Sequence, residues 1–164
     1  MKTPWSICFL LILLTANNLN GQEWHKIYFP DRPTTVGSVF ENYDRGYVLG
    51  GDFVSSVGVP TMGMVIKTNI NGDMIWYKTI SEVNDFTSIW DINQTEEGGY
   101  IMTGVTGEQT NALNPFILKL NPCAEPEWCR IYNLPDPDPE WGQSIWQIPG
   151  GYISLFLAYG EEPA

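Results

Sequence analysis

Cations are scarce in this chain: 8 Lys+Arg stand against 19 Asp+Glu, a net charge of −11 over 164 residues. So acidic a balance argues against binding a nucleic-acid backbone and against docking on anionic lipid, both of which need a basic surface. Histidine occurs once, at His25, which makes most histidine-based metal sets and catalytic triads improbable. No stretch, the N-terminal apolar run included, has the length a membrane span requires. Nor does any later segment hold a helical period long enough to propose a helix. The sequence shows no nucleophile–base pair, no metal set and no cofactor cradle, so neither a cofactor nor an enzymatic activity is expected. Hydrophobic residues (43%) and aromatics (13%) are nevertheless ample for a buried core. Gly (16) and Pro (12) point to many turns.

The N-terminal run has a reading of its own. Met1-Lys2 is a short basic start, Ile7 to Leu14 an apolar core, and Thr15 to Gly21 a polar exit. That is the layout of a signal peptide, too short to cross a bilayer. Residues 1–21 are therefore expected to be removed near Gly21-Gln22, leaving residues 22–164 as a secreted or cell-surface domain. Two cysteines then remain, Cys123 and Cys129. In an oxidising compartment such a pair at short spacing is expected to form a disulfide.

Internal repetition settles the architecture to be expected. Trp24-His25-Lys26-Ile27-Tyr28, Trp76-Tyr77-Lys78-Thr79-Ile80 and Trp128-Cys129-Arg130-Ile131-Tyr132 share one pattern, with tryptophans 52 residues apart. Lys67 and Lys119 keep the same interval. Gly-Tyr recurs at Gly46-Tyr47, Gly99-Tyr100 and Gly151-Tyr152. Ser88-Ile89-Trp90 and Ser144-Ile145-Trp146 echo each other, with Ser38-Val39-Phe40 as a weaker copy. In the middle unit four β-rich runs are separated by turn residues: Phe86 to Ile92, Tyr100 to Val105, Pro115 to Leu120 and Trp128 to Tyr132. Four strands in about fifty residues is the signature of a β-propeller blade. The expected fold is all-β, a partial propeller of about two and a half four-stranded blades.

The elements Gly-Gly-Tyr-Ile, Ile-x-Lys-x-Asn and Gly-x-x-x-Trp-x-Lys resemble those of exported tandem-repeat β-propellers of Bacteroidota, with kelch-like or quinoprotein-like blades. The resemblance covers nearly all of residues 22–164 and implies a part of a larger cell-surface or secreted protein. It implies little about activity. By strand count the chain stops before a third strand of its last unit, so an N-terminal fragment lacking C-terminal blades of the same protein is expected.

Residues repeated in every unit are expected to fill the seams between blades: Trp24, Trp76 and Trp128, together with Trp90, Trp146, Gly46, Gly99 and Gly151. Lys67 and Lys119 are expected to form salt bridges or to snorkel at a blade surface. Trp141 has no counterpart and is the candidate for ligand contact. Asn69 to Asp73 reads as a hairpin turn. The acidic, proline-rich stretch Asp136 to Glu140 reads as a stiff loop with carboxylates that could hold calcium. Asp85, Asp91, Glu96 and Glu97 are the other carboxylates near strand edges. The expected function is an exported, non-enzymatic scaffold that binds protein or glycan. The competing readings are part of a polysaccharide hydrolase using a carboxylate pair, and a gene fragment without independent function.

Overall fold

A computed structural model describes residues 25–54, 61–81, 86–108, 112–133 and 140–158. Residues 1–24 (Trp24 included), Asp85, Asp136 to Pro139 and everything after Ala158 lie outside the described residues, and with them the expected leader and most of the stretch whose carboxylates could hold calcium. Among the described residues the fold is all-β, with no helix and ten strands. The strands are β1 (Thr34–Glu41), β2 (Tyr47–Val54), β3 (Thr61–Thr68), β4 (Met74–Ile80), β5 (Phe86–Gln94), β6 (Tyr100–Glu108), β7 (Ala112–Leu120), β8 (Pro126–Ile131), β9 (Glu140–Ile148) and β10 (Gly151–Ala158). They form three antiparallel sheets, β1-β2-β3-β4, β5-β6-β7-β8 and the pair β9-β10. Each sheet is a plain meander in chain order. The middle unit follows the four β-rich runs expected from the sequence, each strand extending by up to three residues or stopping one short.

The sheets stack face to face, which explains the composition of their strands. Residues of β6 are buried almost without interruption, from Tyr100 to Thr106, because a sheet covers each face. An apolar run without alternation is what a strand buried on both sides requires. On β4 and β8, at the sheet edges, exposed residues dominate, alternating with half-buried ones along β4 and leaving Trp128 alone half-buried on β8. One core joins the first two sheets through Val48, Val65, Ile89, Ile92, Met102, Phe116 and Leu118. A second joins the last two through Ile101, Ile117 and Ile145. Ile92, Ile101 and Ile145 are wholly buried, each worth about 1.5–3 kcal/mol of apolar transfer. A third cluster, Phe53, Met64 and Ile66, lies on the outer face of the first sheet under Tyr28 and Phe29.

The register shows where the units correspond. Glu41, Gln94 and Gln147 pair with Tyr47, Tyr100 and Tyr152. Counting back along each first strand, one extra residue interrupts the pairing: Gly37, Trp90 and Gln143. A β-bulge therefore recurs at the same place in β1, β5 and β9. It overturns one sequence match. Ser38-Val39-Phe40 corresponds to Asp91-Ile92-Asn93 and Ser144-Ile145-Trp146, while Ser88-Ile89-Trp90 lies three residues earlier. Isoleucine occupies both 89 and 92, and the sequence comparison caught the wrong one. Opposite the first two bulges a small residue is required. A Cβ on Gly51 or Gly104 would run into the carbonyl of Thr35 or Ser88. In the last pair the glycine changes strand, and Gly142 faces Phe156.

The turns repeat as well. Asn69 accepts from the amides of Asn71 and Asp73 through Oδ1, both at 2.9 Å. Asn121 does the same for Cys123 and Glu125, again at 2.9 Å. Cys123 thus occupies the place of Asn71, and Cys129, paired with Leu118, that of Tyr77, paired with Ile66. The expected disulfide does not form: both cysteines are exposed and unbridged. Cys123 sits at the tip of the hairpin, while Cys129 is three residues along β8 from Pro126. At ~3.3 Å per residue that run alone is about 10 Å, beyond the reach of a disulfide.

Candidate functional site

The sheets are tied together by contacts made twice, once at each junction. Trp76 of β4 meets Tyr100 of the next sheet edge-on at 6.0 Å, and Trp128 of β8 meets Tyr152 at 5.8 Å. Each of these tryptophans packs at the seam between two sheets. Gln94 Oε1 accepts from the Tyr43 amide and Gln147 Oε1 from the Glu96 amide, at 2.9 and 2.8 Å. Lys67 Nζ reaches both oxygens of Asp44 at 2.6 and 2.7 Å. Lys119 bonds Glu127 at 3.0 Å and approaches Glu97 at 4.0 Å. Both lysines are structural ion-pair partners with buried stems, as expected. The hydrogen bond from Lys67 holds the Asp44 carboxyl below the usual carboxylate range. The bond to Glu127 pushes Lys119 upward. Gly46 and Gly99 are sterically necessary, since a Cβ would meet the carbonyl of Thr68 or Leu120. Gly151 departs from this pattern: a Cβ there would meet nothing within 4 Å.

Asp91 has a different task. Its Oδ1 accepts from Ser38 Oγ at 2.9 Å and its Oδ2 from the Ile145 amide at 2.9 Å, with Asn93 Nδ2 at 3.4 Å. One carboxylate thus joins β1, β5 and β9, the first strands of all three sheets. Asn93 Nδ2 also donates to the Ile145 carbonyl at 2.7 Å. That engagement holds Asn93 between strands.

A cleft of about 330 Å³ opens beside these strands, lined by Thr35, Gly37, Asp52, Ser88, Ile89 and Trp90. Trp90, released from the core pattern by the bulge, is half-buried and stacks on Trp141, 5.5 Å between centroids and 27° between planes. The unmatched Trp141 and the bulge Trp90 therefore form one aromatic platform, with Trp90 forming part of the cleft wall. Trp146 is not its equivalent and does not fill a seam; it is 52% exposed on β9. Asp52 is half-buried and accepts from Ser88 Oγ at 2.6 Å. Burial pushes its carboxyl up, and the Ser88 hydroxyl pulls part of the way back.

Asp52 is the residue that sequence reasoning missed. Its register counterpart is Val105, one residue after Gly104, as Asp52 follows Gly51. Aligning those two glycines would have revealed an acid in an apolar slot. Of the remaining sequence carboxylates, Glu96 and Glu97 lie in the β5–β6 turn, away from the cleft lining. A second cleft of about 270 Å³ runs between β4 and β8 past Ile80, Phe116, Leu118 and Cys129, and has no charged residue in its lining. No group of His, Cys, Asp and Glu among the described residues is arranged to hold a metal ion. No described helix is long and apolar enough to cross a membrane. In comparisons with known proteins, neither a family model nor a curated protein matches the chain.

Proposed function

We propose that this chain is an exported, propeller-type scaffold that binds glycan without turning it over. The propeller reading is supported by three meandering sheets stacked in chain order, with the same seam contacts at each junction. The observation that carries the binding reading is the Trp90–Trp141 stack at the cleft holding Asp52. Indole rings pack on the apolar faces of sugars, and a carboxyl beside them accepts hydroxyl hydrogen bonds. The net charge of −11 favours a neutral over an acidic glycan. Hydrolysis by a carboxylate pair needs two acids flanking the scissile bond. In this cleft Asp52 is the sole acid in the lining, and Asp91 is engaged by three donors from three strands.

The hydrolase reading has one observation in its favour, the raised pKa of Asp52, which suits a general acid. A glycan array followed by a turnover assay on the bound polysaccharides separates the two. Binding that is lost in Trp90→Ala, with no reducing ends released, is the expected result. Release of reducing ends that stops in Asp52→Asn would instead establish the hydrolase, and an array without hits would remove the glycan reading.

A further inference from the structure

The two ends of the stack expose matching halves of one interface. Val48 and Ile101, equivalent residues of β2 and β6, are fully buried against the sheet that follows. Their counterpart on β10, Ile153, is 54% exposed. Trp146, Leu155 and Leu157 are exposed beside it, making an apolar face without charge. At the other end, Ile92 and Ile145 are fully buried against the sheet that precedes them. Their counterpart on β1, Val39, is 60% exposed, and Val36 is exposed near it.

The segment before β1 shows what belongs at that end. Lys26 Nζ bonds Asp73 and Tyr28 Oη donates to the Gly72 carbonyl, each at 2.6 Å. Lys78 of β4 grips the next sheet in the same manner, donating to the Ala124 carbonyl at 2.7 Å. Residues 25–29 therefore hold the first sheet as the outer strand of a preceding sheet would. Val36 and Val39 remain uncovered where the inner strands of that sheet would pack.

We propose that the chain associates head to tail with a second copy of itself, the β9–β10 face of one molecule covering the Val36–Val39 face of the next. Both halves lie on one chain, and the same contact is already made twice within it. Such a contact is heterologous, so each copy keeps one half open for a further partner unless a ring closes. One internal tie is missing at this junction. Glu41 takes the place of Gln94 and Gln147, and the turn facing it would offer Pro149, which has no amide hydrogen. Association is therefore reversible and dependent on concentration. The net charge of −11 opposes it, so added salt strengthens it. The inference rests on the stacking of the sheets and is independent of glycan binding.

Sedimentation velocity on the full chain, at rising concentration in low and high NaCl, tests it. The wild type is expected to exceed monomer mass, more so at high salt. Ile153→Lys and Val39→Lys replace exposed residues, so each should keep the wild-type circular dichroism while weakening self-association by about tenfold or more. An equimolar mixture of the two should regain a dimer, because one intact half of each variant meets the other. A wild type that stays monomeric throughout, whether or not it captures another protein, overturns the proposal. So does a mixture that associates no better than either variant alone.

Discussion

Replacing Asp91 asks whether one carboxylate keeps three sheets together. The side chain accepts from Ser38 Oγ and the Ile145 amide, both at 2.9 Å, and more weakly from Asn93 at 3.4 Å. Hydrogen bonds to a charged group contribute about 1.5–3 kcal/mol each, and a buried donor left unsatisfied costs about 1–3 kcal/mol. Asp91 is only half-buried, so water compensates part of the loss, and Asp91→Ala is expected to cost about 3 kcal/mol. Asp91→Asn should cost about 1 kcal/mol. Its carbonyl still serves the Ile145 amide, and its amide faces Ser38, whose hydroxyl rotates to accept. For a domain of this size those losses lower Tm by roughly 10 °C and 3 °C. Urea unfolding followed by tryptophan fluorescence measures both. Ser38→Ala in the Asp91→Ala background should then add almost nothing, because its partner is gone. A cost for Asp91→Ala below about 0.5 kcal/mol, or an asparagine variant as damaged as the alanine one, would refute the reasoning.

Two other aspartates should respond to neutralisation in opposite directions. The Asp44 carboxyl is held below its ordinary value by Lys67, so its contribution is present above the unfolded pKa and lost as pH falls through the lower folded one. Asp44→Asn should therefore destabilise at neutral pH and become silent in acid. The Asp52 carboxyl is raised by burial, so its cost is absent below the unfolded pKa and complete above the raised folded one. Asp52→Asn should stabilise at neutral pH while keeping the Ser88 bond; pH-dependent urea midpoints for the two variants should converge on the wild type in acid from opposite sides. Arg45 and Gly98 share a left-handed turn position, with φ of 67° and 85°. Arg45→Gly is expected to gain, and Gly98→Ala to lose, about 1 kcal/mol, and equal midpoints for all three proteins would count against this. Alkylation of the native protein followed by mass spectrometry should modify both Cys123 and Cys129, whereas a mass showing two protected sulfurs would contradict their unbridged state.

The parts of the fold readable from sequence were those where one physical constraint acts on every unit. Trp76 and Trp128 recur because each seam needs a large ring, and Gly46 and Gly99 because the adjacent strand leaves no room for a Cβ. Lys67 and Lys119 recur because each must find an acid at its sheet's end. The first strands were misaligned because a bulge changes the local count without leaving a turn residue, so Trp90 looked like a partner of Trp146. The disulfide failed on distance along a strand, which sequence spacing within a hairpin does not reveal. Asp52 was overlooked because repeats were searched for what they share, and it is a residue they do not share. The site depends on departures from the repeat, which comparison of units treats as noise.

The recurring bulge has a consequence for how such a chain diversifies. Its extra residue is glycine in β1, tryptophan in β5 and glutamine in β9. Those three share neither size nor polarity, while the residues next to them in register remain under the constraints of packing. Each repeat thus contains one position whose side chain is exempt from cross-strand pairing, set on a strand that is otherwise rigid. In β1 that freedom is closed, because a Cβ on Gly37 would meet the backbone of Ile89 and Trp90 in the next sheet; in β5 and β9 new recognition chemistry can be sampled by point substitution without loop insertion.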